Sequence, residues 1–368
     1  MKYAKFLAIA LFIALIVNCT NKEEVKTYDQ YEENGIRFTS NNGSPADTAL
    51  KIDLTEVGFI DLENEEDSLK LLSRPISFKF DKEDNLYVLD YQKCMIHKYN
   101  PDYEHINVFG GKGQGPGEFV EARNMIVKGD TIIISDGRLW KISKLDLNGD
   151  FIVDKKYSDF VKSPIQIKEF GSGFISRFYG TTSDETGQRF YEKYICQFDS
   201  NLNFVKNFYN YKEPYVEGKE MDPSASGSRH AADTTNLYVS VNSKTEYKID
   251  VYDFDGNKNR IVRKNYARIK NSEEALQKQQ ERNKKYGMNH RTEFLNSIYR
   301  INTDKYGRLW VRSSVKDIEE GRYYDIFEDD IFQKRVKIDL DEGYYIAEVD
   351  DKIICVNREN NNIKIYDY

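Results

Sequence analysis

The residue sets in this chain that could perform chemistry are few, and the strongest of them is basic. Arg74, Arg123, Arg229 with His230, Arg300 and Tyr344 each stand at the head of a short segment that recurs along the chain. Guanidinium groups converging from separate segments could hold a carboxylate or sulfate through paired hydrogen bonds. The same arginines could equally pair with neighbouring acids, since the chain has 61 Asp and Glu. Four histidines, His97, His105, His230 and His290, show no metal-ligand spacing. Glu118 and Glu121 are the acids placed to test for calcium, and Tyr209, Tyr211 and Tyr215 could stack on sugar rings or simply pack. The run 109–119, FGGKGQGPGEF, lacks the Gly-Lys-Ser/Thr ending of a phosphate loop, and no Gly-Xaa-Ser-Xaa-Gly elbow occurs. Its glycines read as a compact backbone crossover, with Phe119 packing beyond it. The expectation is a binding surface with no catalytic residue, no cofactor and no metal.

The elements that must position these residues repeat. A turn with Asp, Gly or Asn leads into a short apolar strand, then an alternating strand, a second turn and a further strand. Leu86, Ile132, Phe174, Leu237, Leu309 and Ile353 occupy equivalent places, at a period in the forties with two longer intervals. Four short strands at that period are the mark of propeller blades, and radial closure protects edges that a flat array would expose. The sixth unit stops after its third strand, and residues 50–60 alternate as its missing fourth strand would. The expected fold is therefore all-β, a six-bladed β-propeller over 48–368 closed by an N-terminal strand. Aromatic residues at 14% suit such a fold.

The longer connections, 178–190, 209–229 and 267–296, all fall on the face where the inner strands begin. A scaffold that elaborates one face is expected to use it, although such loops can also merely cover the rim. Residues 272–285 (SEEALQKQQERNKK) predict a short surface helix with Ser272 as N-cap and Gly287 ending it.

Before the repeats, Lys2 and Lys5 precede an apolar run, 6–17, too short to span a bilayer but suited to a signal peptide. Cys19 follows directly, as the lipidated cysteine of a bacterial lipoprotein would, which makes 1–18 a signal peptide and 19–47 a polar tether. An ordinary secretory signal with an incidental cysteine is the alternative. Lys22-Glu23-Glu24, just after Cys19, resembles the lysine-plus-two-acids export tag of surface lipoproteins. Cys94, Cys196 and Cys355 remain, an odd number with no Cys-Xaa-Xaa-Cys, and read as buried apolar thiols. The net charge of −7 speaks against a general nucleic-acid binder.

Taken with the Gly-Xaa-Gly-Pro-Gly-Glu-Phe run at 113–119 and the repeated Leu-Tyr-Val-type strands, this N-terminus resembles the six-bladed propeller lipoproteins of Bacteroidota, relatives of the NHL-repeat propellers. The resemblance implies a monomeric propeller anchored in the outer membrane by its lipid, at the cell surface or alternatively facing the periplasm. It implies a binding or accessory role toward a glycan or a protein partner of an uptake system. Propellers of this size also host calcium-dependent lactonases or lyases, which is the enzymatic alternative.

Overall fold

The second strand of blade one shows how the sequence makes this architecture. In Leu86–Asp90 every residue is buried, because both faces of the strand meet another sheet. Leu86 and Val88 pack with Ile354, Val356, Ile363 and Ile365 of the last blade. Tyr87 and Leu89 pack with Met125, Ile132 and Ile134 of the next. Alternation thus divides one strand between two inter-blade cores, and a strand covered on both sides reads as a continuous apolar run.

The computed structural model describes residues 26–62, 65–157, 164–215, 229–240, 243–286, 293–314 and 322–368. It is an all-β, six-bladed propeller. Blade one comprises Pro75–Phe80, Leu86–Asp90, Met95–Tyr99 and His105–Gly110, and blade two Ala122–Lys128, Thr131–Asp136, Lys141–Asp146 and Phe151–Lys156. Blade three has Pro164–Phe170, Gly173–Ser183, Arg189–Phe198 and Phe204–Pro214, and blade four Arg229–Ala232, Leu237–Ser240, Tyr247–Tyr252 and Lys258–Lys264. Blade five is built from Ile298–Thr303, Leu309–Ser313, Arg322–Glu328 and Ile331–Ile338. Blade six has Tyr344–Val349, Ile353–Asn357 and Asn362–Asp367, and its fourth strand is Thr55–Asp61 from the N-terminal side, paired antiparallel with Ile363 opposite Ile60. The expected closure is present.

The N-terminal segment does more than the expected tether. Tyr28–Glu33 and Ile36–Asn41 form a hairpin, and Ile36–Asn41 adds in parallel to the outer strand of blade four. Residues 46 and 47 then bond the backbone of Phe332 and Gln333 on blade five before the chain reaches blade six. The polar composition of 28–41 hid these strands, because an edge hairpin needs little apolar surface. Tyr31 stacked on Phe38 at 4.8 Å supplies part of it.

One further expectation is corrected. Residues 178–190 are not a long loop: the second and third strands of blade three run on as a hairpin to a tight turn at Asp184, with the outer strand extended to Pro214. The helix spans Glu273–Tyr286, capped by Ser272 Oγ, which accepts the Ala275 N–H at 3.1 Å. Its expected end at Gly287, like Cys19, His290 and the stretch 216–228, lies outside the described residues. Cys94, Cys196 and Cys355 are buried and free.

Short turns are fixed by one recurring device. Asp81, Asn100, Asp146, Asp199 and Asp304 each accept the N–H groups two and four residues on. The glycine run also has a backbone explanation. Gly110 and Gly111 adopt φ of 85° and 137°, closed to side chains, and Phe119 at its end is fully buried between blades one and two.

Candidate functional site along the propeller axis

The inner strands share an irregularity that builds the site. Register shifts at 75/77, 122/124, 165/168, 298/300 and 346/348 place a bulge in the inner strand of five blades, and the fourth shows none among its described residues. A bulge re-aims side chains and leaves a carbonyl outside the ladder. Lys168, Arg300 and Glu348 immediately follow three of these bulges. Carbonyls inside the bulges then receive cationic or imidazole donors from the neighbouring blade. Arg229 Nε donates to Tyr299 O at 2.9 Å, and an Arg300 terminal nitrogen to Ala347 O at 2.8 Å. His230 Nε2 meets Gln166 O at 3.1 Å. The sequence-predicted Arg229, His230 and Arg300 are thus held beside the axis by backbone, which leaves the charge of the two guanidiniums unneutralised at those bonds.

Glu348, on the inner strand of blade six, is 4% exposed and sits among three cations. Lys79, Lys168 and Arg300 approach its oxygens at 3.5, 3.6 and 3.7 Å. Burial works to raise its pKa, but Lys79, Lys168 and Arg300 outweigh it and bring the carboxyl down to about 2. Lys79 also pairs with Asp350. Burial opposes its charge too, yet Asp350 and Glu348 raise its pKa. For Lys168 the balance runs the other way: burial, reinforced by Lys79 and Arg300, lowers the pKa despite Glu348.

Lys79, Lys168, Glu348 and Asp350 line a cavity of about 370 Å³ to which all six blades contribute. Phe78, Ile126, Ala232, Thr303 and Ile354 form part of its wall. It opens where the inner strands end, at the face of short turns, and not at the face with the longer connections.

Further along the axis the groups are cationic. Burial first, then Arg229, lowers the Arg177 guanidinium to about 10. Arg229 is lowered by burial and by Arg300. Lys193, 9% exposed, is brought down to about 7 by burial, Arg177 and Arg229.

Arg74 and Arg123 stand apart from this cluster. Their guanidiniums lie over the ring of Tyr91, at 4.8 and 5.2 Å from its centroid, and Arg123 is paired with Glu121. Tyr344 lies under Lys364, 5.2 Å away. The six predicted positions therefore fall into an axial group, an aromatic stack and a lone tyrosine. Glu121 also accepts the Tyr91 hydroxyl, and Glu118 accepts the Gly115 N–H, so both acids have protein donors. Among the described residues, no group of three or more His, Cys, Asp or Glu could hold a metal ion.

Sequence reasoning missed Lys79, Lys168, Arg177, Lys193 and Glu348. Three of them left a signal: Phe78-Lys79-Phe80 and Ala347-Glu348-Val349 each set one charge in a largely apolar inner strand, and Ile167-Lys168-Glu169-Phe170 sets a pair of charges between apolar residues.

No protein-family model and no curated protein sequence matches the chain. Solved structures do resemble it. A protein of Bacteroides fragilis described as exported shares 14% identity, with 89% of this chain and 98% of that one covered and a TM-score of 0.52. A member of the DUF4221 family from Bacteroides vulgatus shares 11%, covering 85% and 97%, with a TM-score of 0.51. A streptogramin B lyase gives 10% identity, 86% and 97% coverage and a TM-score of 0.46. At these identities the likeness is one of fold.

Proposed function

We propose that this chain is an exported, lipid-anchored binding or accessory module that takes an acidic ligand, such as a charged glycan, into its axial channel. The observation that carries the reading is the balance of charge there. Lys79, Lys168, Arg229 and Arg300 stand on the inner strands around the axis, with Arg177 and Lys193 on the next strands of blade three, in a protein of net charge −7, and Glu348 is the acid that Lys79, Lys168 and Arg300 share. Burying cations without matching acids is unfavourable, and an anionic ligand relieves it. The likeness to an exported Bacteroides propeller and the cysteine after the signal-like run support the location. Anchoring through Cys19 in the outer membrane, at the surface or facing the periplasm, belongs to the same proposal.

Calorimetric titration with matched acidic and neutral oligosaccharides tests it. Acidic ligands are expected to bind, with affinity falling as salt rises, and Lys168→Ala to weaken binding at least tenfold. Equal binding of neutral and acidic forms, or no binding of either, overturns the reading. For the anchor, Cys19→Ser is expected to move the protein from the membrane fraction to the soluble one. A protein partner bound on the face with the longer connections, in place of a glycan, would appear as binding that the lysine substitution leaves intact.

A further inference from the structure

Two buried nitrogen atoms beside the axis have no hydrogen-bond partner: Lys193 Nζ and His230 Nδ1. They belong to facing sheets. In blade three, Arg177 opposes Ile195, and Lys193 lies two residues from Ile195 on the neighbouring strand. Arg177 and Lys193 therefore share the face on which Ile175 and Ile195 pack against Ala232, Leu237 and Val239 of blade four. His230 is two residues before Ala232 on the inner strand of blade four, so it looks back toward blade three, where its Nε2 meets Gln166 O. Arg229, the preceding residue, faces the other way and donates to Tyr299 O of blade five. Lysine, arginine and imidazole thus meet at one seam.

The groups acting on Lys193 all work in one direction. Burial, Arg177 and Arg229 each lower its amine. Burial, Arg177 and Lys168 lower the His230 imidazole to about 3, against which only the Gln166 carbonyl pulls upward among its leading influences. Tyr179 and Tyr211 flank Lys193 in the register, so its nearest cross-strand neighbours are not acids. Such an arrangement is poorly solvated as it stands, and one small anion would supply the acceptor that Lys193 Nζ lacks.

We propose that the seam between blades three and four is a specific site for a single oxyanion group, a carboxylate or sulfate on the ligand, with Lys193 and Arg177 as its donors. This rests on the acidic-ligand reading and narrows it: the charged end of the ligand seats here, while Lys168 and Lys79 line the cavity beyond. An anion arriving at the seam favours the ammonium form of Lys193, so binding near pH 7.5 takes up a proton.

The test uses the full chain, with inorganic sulfate, glucuronate and glucose 6-sulfate as probes. Titrations in buffers of different ionisation heat read the proton uptake. Wild type is expected to bind an acidic probe with proton uptake. Lys193→Met is expected to lose at least tenfold in affinity along with the uptake, while keeping or raising its Tm, because it removes a buried unpaired amine. Either preference between the uronate and the sulfate ester supports the site and names its anion. If Lys193→Met binds as wild type does, while Lys168→Ala loses binding, the channel reading stands and the seam proposal falls. If no acidic probe binds wild type, both fall. A carboxylate of the chain itself found seated on Lys193 in a crystal structure would also overturn the seam.

Discussion

Glu348 is the residue on which the axial charge turns, and its titration makes that measurable. Its pKa is lowered from 4.5 to about 2 in the folded chain. A depressed carboxylate contributes stability that is fully present above about pH 4.5 and lost as pH falls toward 2. His230 pushes the same way from higher pH. Its folded value of about 3 lies below the ordinary 6.5, so the unfolded chain takes the proton first and stability erodes as pH drops below 6.5. Denaturant titrations at pH 7.5, 5.5 and 3.5 are therefore expected to show a steady loss of stability. Glu348→Gln leaves Lys79, Lys168 and Arg300 without their common carboxylate, at a cost on the order of 3–5 kcal/mol at pH 7.5. It should also flatten the dependence below pH 4.5. A variant as stable as wild type, with the same acid slope, would show that the four charges are not coupled.

At the scale of elements, the acid that ends the second strand ties three segments together. Asp90, fully buried, accepts the N–H of Gln92 and Lys93 in the following turn, at 2.8 and 3.0 Å. It also receives N–H groups of Ser73 and Arg74 from the crossover into its own blade, at 2.5 and 3.3 Å. Asp136 does the same with Arg138, Leu139, Val120 and Glu121. Asp90→Ala orphans several buried donors at once and is expected to cost about 2–4 kcal/mol, read from the urea midpoint. Asp90→Asn, which keeps acceptor oxygen but loses charge, should cost less. Equal losses for the two would mean that packing, not hydrogen bonding, is what the residue supplies.

These elements were unequally legible in the sequence. Strands covered on both faces, such as Leu86–Asp90 and Ile353–Asn357, declare themselves by unbroken apolar character, and their terminal Asp or Asn marks the turn clamp. Positions of the blades and of the closing strand follow from them. Arg229, His230 and Arg300 were found because they head inner strands. Lys193 was not, because it lies in the hairpin extension of blade three, where polar residues on an exposed stretch mask the pairing. Nor does any sequence pattern announce the bulges, since a bulge is a property of two strands and their register. The location of the cavity depends on those bulges, which is why it was expected at the other face.

The whole molecule is a ring whose outer edges differ. Blade four is covered by the hairpin of residues 28–41, whereas the outer strands of blades two and three leave Phe151, Ile152, Val153, Phe204 and Val205 exposed. Lys155, Lys156 and Lys206 on those same strands act as charged guards against edge pairing. Closure of the ring does not need the hairpin. Deleting residues 1–42 is accordingly expected to lower Tm while preserving a single transition, because the closing strand Thr55–Asp61 remains. Deleting through residue 61 removes that strand and should abolish cooperative unfolding by calorimetry. Retention of a sharp transition there would place the closure elsewhere.

The N-terminal segment also sets the order of assembly. Ile36–Asn41 pairs with Lys258–Lys264, and the Asn41 side chain accepts the N–H of Phe332, 291 residues away. Thr55–Asp61 waits for Asn362–Asp367. Beyond the local hairpin, Ile36–Asn41 and Thr55–Asp61 are thus made early and find their distant partners last, and through most of synthesis or export each offers an open edge of high β-propensity. Contacts this distant in sequence slow folding. A circular permutant carrying residues 26–62 after Tyr368 would meet both partners at once, and it should refold faster than the natural order in a denaturant jump. Equal rates would mean that the ring condenses blade by blade before the ends meet, with the join made at leisure.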